Sequence, residues 1–375
     1  MFLGELVVRF YLHLHREILP AACRREDPVL HHALIHNTTC RFKTSEWNVT
    51  FQINSLGMRD REYSFTKPAG TYRILLLGDS FAEGYGVAEA STYQANLEEQ
   101  LNKKNHRNLE ILNAGVQSYS PRLEYLFLTT QGMALQPDMI ILSLDLTDFS
   151  DQQRYQILTK IKPTAVTTTI SDQWERSPIL AKPIPSVTWI PFIPTSIKWW
   201  LHQHSRLYDL AIFTVKKLLY PDIFKGQIDF TPQDPFTDSF VILRPKNEQQ
   251  HAKLWEPMKR DIRLIKAIGD KYQLPVIVMM HPHGHQISAN EWSEGRKSWD
   301  FMPQKIYGVQ PQAELQSFLE SENIPYVDLL PAFKATERRQ KKLFFSLDGH
   351  LTAVGHQVIA DTLFAFLQQH QYALE

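Results

Sequence analysis

Five short apolar runs, each tied to a helical pattern, constrain this chain more than any other feature. They lie at residues 72–77, 109–112, 138–144, 275–280 and 325–329. They read as apolar stretches rather than as an alternation of apolar and polar residues, so both faces of each strand must be covered. Helical spacing occupies 92–103, 121–135, 257–271, 312–322 and 353–368. In 257–271, Met258, Ile262, Ile265 and Ile268 form one apolar stripe, and Pro121 suits a helix start. Strands covered on both faces and alternating with helices define an α/β protein with a parallel sheet. The expectation is a three-layer αβα sandwich on five parallel strands.

Two segments fall outside this alternation. Residues 1–68 read as an extension packed on a main domain at 69–375, and within that domain 151–250 reads as an inserted cap. A structureless loop of that length inside a compact domain is improbable, so the insertion is expected to carry at least one helix, at 208–219. Trp174, Trp189, Trp199 and Trp200 either line a sugar or acyl pocket or pack the insertion onto the sheet. At the start, Phe2, Leu3, Leu6, Val7, Phe10 and Leu14 follow helical spacing with Glu5 and Arg9 between them. Such a helix packs on its own domain or lies in a membrane interface, the second giving a peripheral membrane contact. No stretch approaches the ~20 apolar residues of a membrane span, and the start lacks the form of a signal peptide.

Lys+Arg and Asp+Glu both number 40, so the chain lacks the basic footprint of a nucleic-acid binder. Cys23 and Cys40 have no zinc-ligand spacing around them; they form one disulfide or remain two buried thiols.

Ligands and catalytic groups in open α/β sheets gather at the carboxyl ends of the strands. The first expected strand ends in Gly78-Asp79-Ser80-Phe81. A serine there exposes its hydroxyl and aims its own N–H at the same space, but it needs a base and an orienter for that base. Asp348-Gly349-His350, on the last loop before the final helix, supplies both. A third loop, His281-Pro282-His283-Gly284-His285, follows the fourth strand. Alternating histidines suit chelation, but no nearby carboxylate or cysteine completes an obvious ligand set. That loop is read as facing substrate, with no metal and no cofactor expected.

Gly78-Asp79-Ser80-Phe81, Asn113-Ala114-Gly115 and Asp348-Gly349-His350 resemble, in order, the first, second and last blocks of the SGNH/GDSL hydrolases. The preamble Ile53-Asn54-Ser55-Leu56-Gly57-Met58-Arg59 is similar to that of larger bacterial members, as is Gly355-His356 to their closing helix. The resemblance runs from about residue 53 to 363. It implies a flavodoxin-like αβα fold, a Ser80–His350–Asp348 triad and a three-donor oxyanion hole. Two donors carry over as the N–H groups of Ser80 and Gly115. Thr147 stands where the family has an asparagine, in Leu144-Asp145-Leu146-Thr147-Asp148, and a hydroxyl donates only one hydrogen. One residue separates Asp348 from His350, where many members have two. Asp79 and Asn113 are read as hydrogen-bonders of their turns, and Asp148 as a supporting or a surface carboxylate.

The expected activity is hydrolysis of an acyl ester, with an O-acetyl group on a carbohydrate as the class the resemblance favours and small or lipid esters next. An O-acyltransferase would use the same triad with a sugar hydroxyl in place of water, and a glycan-binding protein would keep the fold without turnover. Relatives of this type often act outside the cytoplasm or at a membrane.

Overall fold

The computed structural model describes residues 23–105, 108–155, 205, 208, 239–245, 247–299, 301–302 and 304–372. Its first 31 described residues form two antiparallel hairpins. Strand β1 (Arg24–Asp27) pairs with β2 (His31–Leu34), and β3 (Thr38–Lys43) with β4 (Asn48–Ile53). Strands β1 and β2 did not stand out in sequence because they are four residues each, too short to establish a period of two. Of the two states open to the cysteines, the structure holds the bridge: Cys23 and Cys40 are joined, Cα to Cα 5.9 Å, tying one hairpin to the other.

The expected sheet follows. Strands β5 (Thr71–Leu77), β6 (Asn108–Asn113), β7 (Met139–Leu144), β8 (Val276–Met280) and β9 (Tyr326–Asp328) lie in the order β6-β5-β7-β8-β9, all parallel. Leu75 sits between Leu112 and Ile140, and Ile141 pairs with Ile277 across the next ladder. All six residues of β7 and all five of β8 are buried, as strands covered on both faces require. The chain lays β6 on one side of β5 and then returns to lay β7 on the other. That reversal opens a crevice at the carboxyl ends of the strands.

The helices are α1 (Ser80–Glu83), α2 (Tyr93–Asn105), α3 (Pro121–Thr130), α4 (Asp148–Tyr155), α5 (Glu248–Tyr272), α6 (Gly284–Ile287), α7 (Gln310–Ser321), α8 (Leu330–Glu337) and α9 (Ala353–Gln369). Helix α2 packs against α9, while α3 and α4 pack against α5, giving the three-layer αβα sandwich. One expected boundary is corrected. The helix read as starting at Pro257 begins at Glu248, where the Asn247 side chain accepts from Gln250 N at 2.8 Å. Asn247 is the N-cap, and Pro257 lies inside the helix.

The helix expected at 1–15, all but Tyr208 of that at 208–219, and the tryptophans at 174, 189, 199 and 200 lie outside the described residues. Among the described residues, no helix is long and apolar enough to cross a membrane.

Candidate active site

Strand β5 delivers the chain to Gly78-Asp79-Ser80. Asp79 caps α1, its Oδ1 accepting from Phe81 N at 2.9 Å. Ser80 is therefore the first helical residue, a position whose N–H has no acceptor within the helix. Its hydroxyl lies 2.8 Å from His350 Nε2 and 3.2 Å from Asp79 Oδ2. The single hydroxyl hydrogen favours the shorter contact to the imidazole.

His350 arrives from the other end of the sequence. Its Nδ1 lies 2.5 Å from Asp348 Oδ1, which also accepts from His350 N at 3.2 Å. Gly349 between them has φ +85°, and a Cβ there would stand 2.6 Å from Trp292 Nε1. Glycine lets one residue separate acid and base while both face the same ring. A carboxylate on Nδ1 fixes the proton there and leaves the Nε2 lone pair toward Ser80. The rings of Phe81 and Tyr85 flank the imidazole at 5.2 and 5.0 Å. Burial alone would raise the Asp348 carboxyl, but the charge of His350 and its hydrogen bonds hold it below the ordinary carboxylate value.

The expected oxyanion donors behave differently from one another. The loop after β6 passes so close to α1 that a Cβ on Gly115 would lie 2.5 Å from Glu83 N. Gly115 N–H donates to Asn113 Oδ1 at 3.0 Å, and Asn113 Nδ2 donates to Ala82 O at 2.7 Å. Asn113 thus braces the turn, and the Gly115 N–H is already engaged. Thr147, read from sequence as the third donor, is engaged by a neighbouring carboxylate. Its hydroxyl donates to Asp145 Oδ1 at 2.7 Å, and its backbone N–H donates to the same oxygen at 2.6 Å. Its single hydroxyl hydrogen is thus engaged by Asp145, as the Gly115 N–H is by Asn113.

Asp145 is the residue that sequence reading missed, and it reorganises the floor of the site. Its Oδ1 also accepts from Asp148 N at 3.1 Å, and its Oδ2 meets His283 Nε2 at 3.2 Å. Burial pushes its carboxyl up, but His283 and Thr147 outweigh that and hold it low. Oxygens of Asp79, Asp145 and Asp148 lie within 4.8 Å of one another, and all three residues are buried. Asp148 is therefore no surface carboxylate. Neither oxygen of the fully buried Glu124 has a hydrogen-bond partner among the described residues. Burial first, then the neighbouring carboxylates, push Asp79, Glu124 and Asp148 well above the ordinary range. An acid at the very end of a buried strand, as Asp145 is, was the one available signal.

The histidine loop, read from sequence as facing substrate, lies beside Phe81 of α1. His281, His283 and His285 are all buried. His281 Nε2 lies 2.5 Å from Ser143 Oγ, its ring stacks on Phe81 at 5.2 Å, and burial pushes it down to about 3. His285 stacks on Phe301 at 4.0 Å and is pushed down to about 2, again chiefly by burial. The carboxylate that the loop lacked in sequence comes from β7 in space, as Asp145.

No protein-family model matches the chain, and no curated protein matches it. Solved structures do. A catalytic mutant of an acetylxylan esterase from Geobacillus stearothermophilus is 13% identical, over 81% of this chain and 95% of that one, with a TM-score of 0.40. An alpha/beta hydrolase enzyme from the metagenome of Lake Arreo is 14% identical, over 81% and 96%, with a TM-score of 0.39. The acetyl xylan esterase AlAXEase is 11% identical, over 79% and 99%, with a TM-score of 0.37. The five parallel strands have the order and layering that the SGNH/GDSL resemblance implies for the fold.

Proposed function

We propose that the chain is a serine-dependent ester hydrolase, with Ser80 as nucleophile, His350 as general base and Asp348 as its orienter. One observation carries the reading: Ser80 Oγ, the His350 ring and Asp348 Oδ1 form one hydrogen-bonded chain with links of 2.8 and 2.5 Å. Ser80 Oγ attacks the acyl carbonyl as Nε2 takes its proton, and the alcohol leaves with that proton. Water then attacks the acyl-enzyme as Nε2 takes its proton, the acyl–Oγ bond breaks, and Nε2 returns the proton to Ser80 Oγ as the acid leaves. The oxyanion is met by Ser80 N–H and by Gly115 N–H, which must leave or share Asn113 Oδ1 to do so.

The acyl group is proposed to be small, an acetyl on a carbohydrate or small alcohol. Supporting this, Ser80 is only 6% exposed and lies beside a ring-flanked imidazole. The test is hydrolysis of an aryl acetate and of O-acetylated glycans by wild type and Ser80→Ala. Wild type should release acetate, and the variant should fall to background with its melting temperature nearly unchanged. Undiminished turnover by a clean Ser80→Ala preparation rules the reading out. Acetyl transfer to an added glycan at the expense of free acetate would assign the acyltransferase instead.

A further inference from the structure

The loop carrying Asp348 and His350 is held from outside the sandwich, by the second hairpin of the N-terminal segment. Between β3 and β4 the chain turns at residues 44–47, where Thr44 N donates to Trp47 O at 2.8 Å. Thr44 Oγ1 accepts from the N–H groups of Glu46 and Trp47 at 3.1 and 3.2 Å. This turn projects Glu46 onto the far loop. Its Oε1 accepts from Ser346 N at 2.7 Å, and its Oε2 accepts from Leu347 N at 2.9 Å and Asp348 N at 2.8 Å. Three successive backbone N–H groups thus converge on one carboxylate, a concave anion-binding arrangement filled by a residue 300 positions away. The last of the three belongs to the residue whose side chain orients the imidazole.

We infer that Glu46 is a positioning residue for the triad: it fixes the 346–348 backbone so that Asp348 Oδ1 meets His350 Nδ1. This rests on the hydrolase reading above. The rest of the loop is anchored separately. Glu291 accepts from Leu343 N and Phe344 N, at 3.1 and 3.0 Å, and Phe345 N donates to His350 O at 2.9 Å. On the acid's side of the loop Glu46 holds the N–H groups, while the carbonyls are held from the other side: Glu294 N and Gly295 N donate to Ser346 O at 3.1 and 2.8 Å, and Trp292 Nε1 donates to Leu347 O at 3.2 Å. The same hairpin supports the base as well: Trp47 and Phe42 pack on Tyr85, at 5.1 and 5.8 Å, and Tyr85 lies against His350.

The experiment measures kcat, KM and melting temperature on an aryl acetate for wild type, Glu46→Ala, Glu46→Gln and Ser80→Ala. Glu62→Gln, whose parent pairs with Ser55 on the same segment, serves as the control. A misplacement of about 1 Å at a reacting group costs on the order of 100-fold. Glu46→Ala should therefore lose roughly 10- to 100-fold in kcat, with KM within about twofold. Glu46→Gln should fall between, because one amide oxygen still accepts, and the control should match wild type. Added formate should occupy the vacated N–H groups and raise the kcat of Glu46→Ala several-fold without affecting wild type. A merely structural carboxylate would show no such rescue. Wild-type kcat in Glu46→Ala overturns the inference, as does a loss that formate leaves unchanged. If the alanine variant does not fold, wild-type kcat in Glu46→Gln overturns it equally. Activity surviving in Ser80→Ala would instead remove the hydrolase reading, so the two failures are distinguishable.

Discussion

Thr147→Val removes one hydroxyl hydrogen and keeps the shape of the side chain. In the structure that hydrogen belongs to Asp145, whose two oxygens also receive Thr147 N, Asp148 N and His283 Nε2. The variant leaves three of those four contacts, so Asp145 remains held in place. The lost bond is hydroxyl to carboxylate in a buried setting, which corresponds to about 1.5–3 kcal/mol of folding stability. Its effect on catalysis should be small, with kcat reduced less than about fivefold, because no donor to the oxyanion has gone. A true oxyanion donor predicts the opposite pattern, a loss of about 10²–10³ in kcat with stability nearly intact. The assay pairs steady-state hydrolysis of an aryl acetate with urea unfolding of the same preparations. A hundredfold drop in kcat at unchanged stability would refute the assignment of the hydroxyl to Asp145.

Two further outcomes are expected. Asp348→Asn should lower kcat by about 10³–10⁴ with KM little changed, because an amide facing Nδ1 no longer fixes the proton on that nitrogen. Its melting temperature should stay close to wild type, since the Glu46 clamp holds backbone N–H groups rather than the side chain. Asp148→Asn should change how stability depends on pH. Burial raises the folded carboxyl well above 3.8, so the folded chain keeps a proton that the unfolded chain releases. The stability this group contributes is fully present below pH ~4 and is lost as pH rises toward the folded value, by up to about 1.4 kcal/mol per unit. An asparagine can keep the acceptor for Asp145 N and does not titrate. The margin of the variant over wild type should therefore widen from pH 5 to pH 8 in urea unfolding, and a margin that narrows would contradict the buried-acid account.

The sequence alone determined the sheet, because a strand buried on both faces can be built only from apolar residues, and β5, β7 and β8 are written that way. It also singled out Ser80, Asp348 and His350, because they sit at a strand end and in a loop whose local turns have short signatures; the structure brings the three within hydrogen-bonding distance. The Asn113 side chain was legible for the same reason, bonding its own turn and the neighbouring helix. Tertiary structure decided the rest. The Thr147 hydroxyl follows Asp145, and Asp145 follows His283 on another strand's loop, 138 residues away. Glu46 reaches its three partners only after the second hairpin has docked. A side chain bonded to backbone N–H groups leaves no trace in the identity of the residues that donate, since every residue except proline carries the same N–H. Such contacts are set by where the chain has been carried in space, and no local pattern of residue types encodes them.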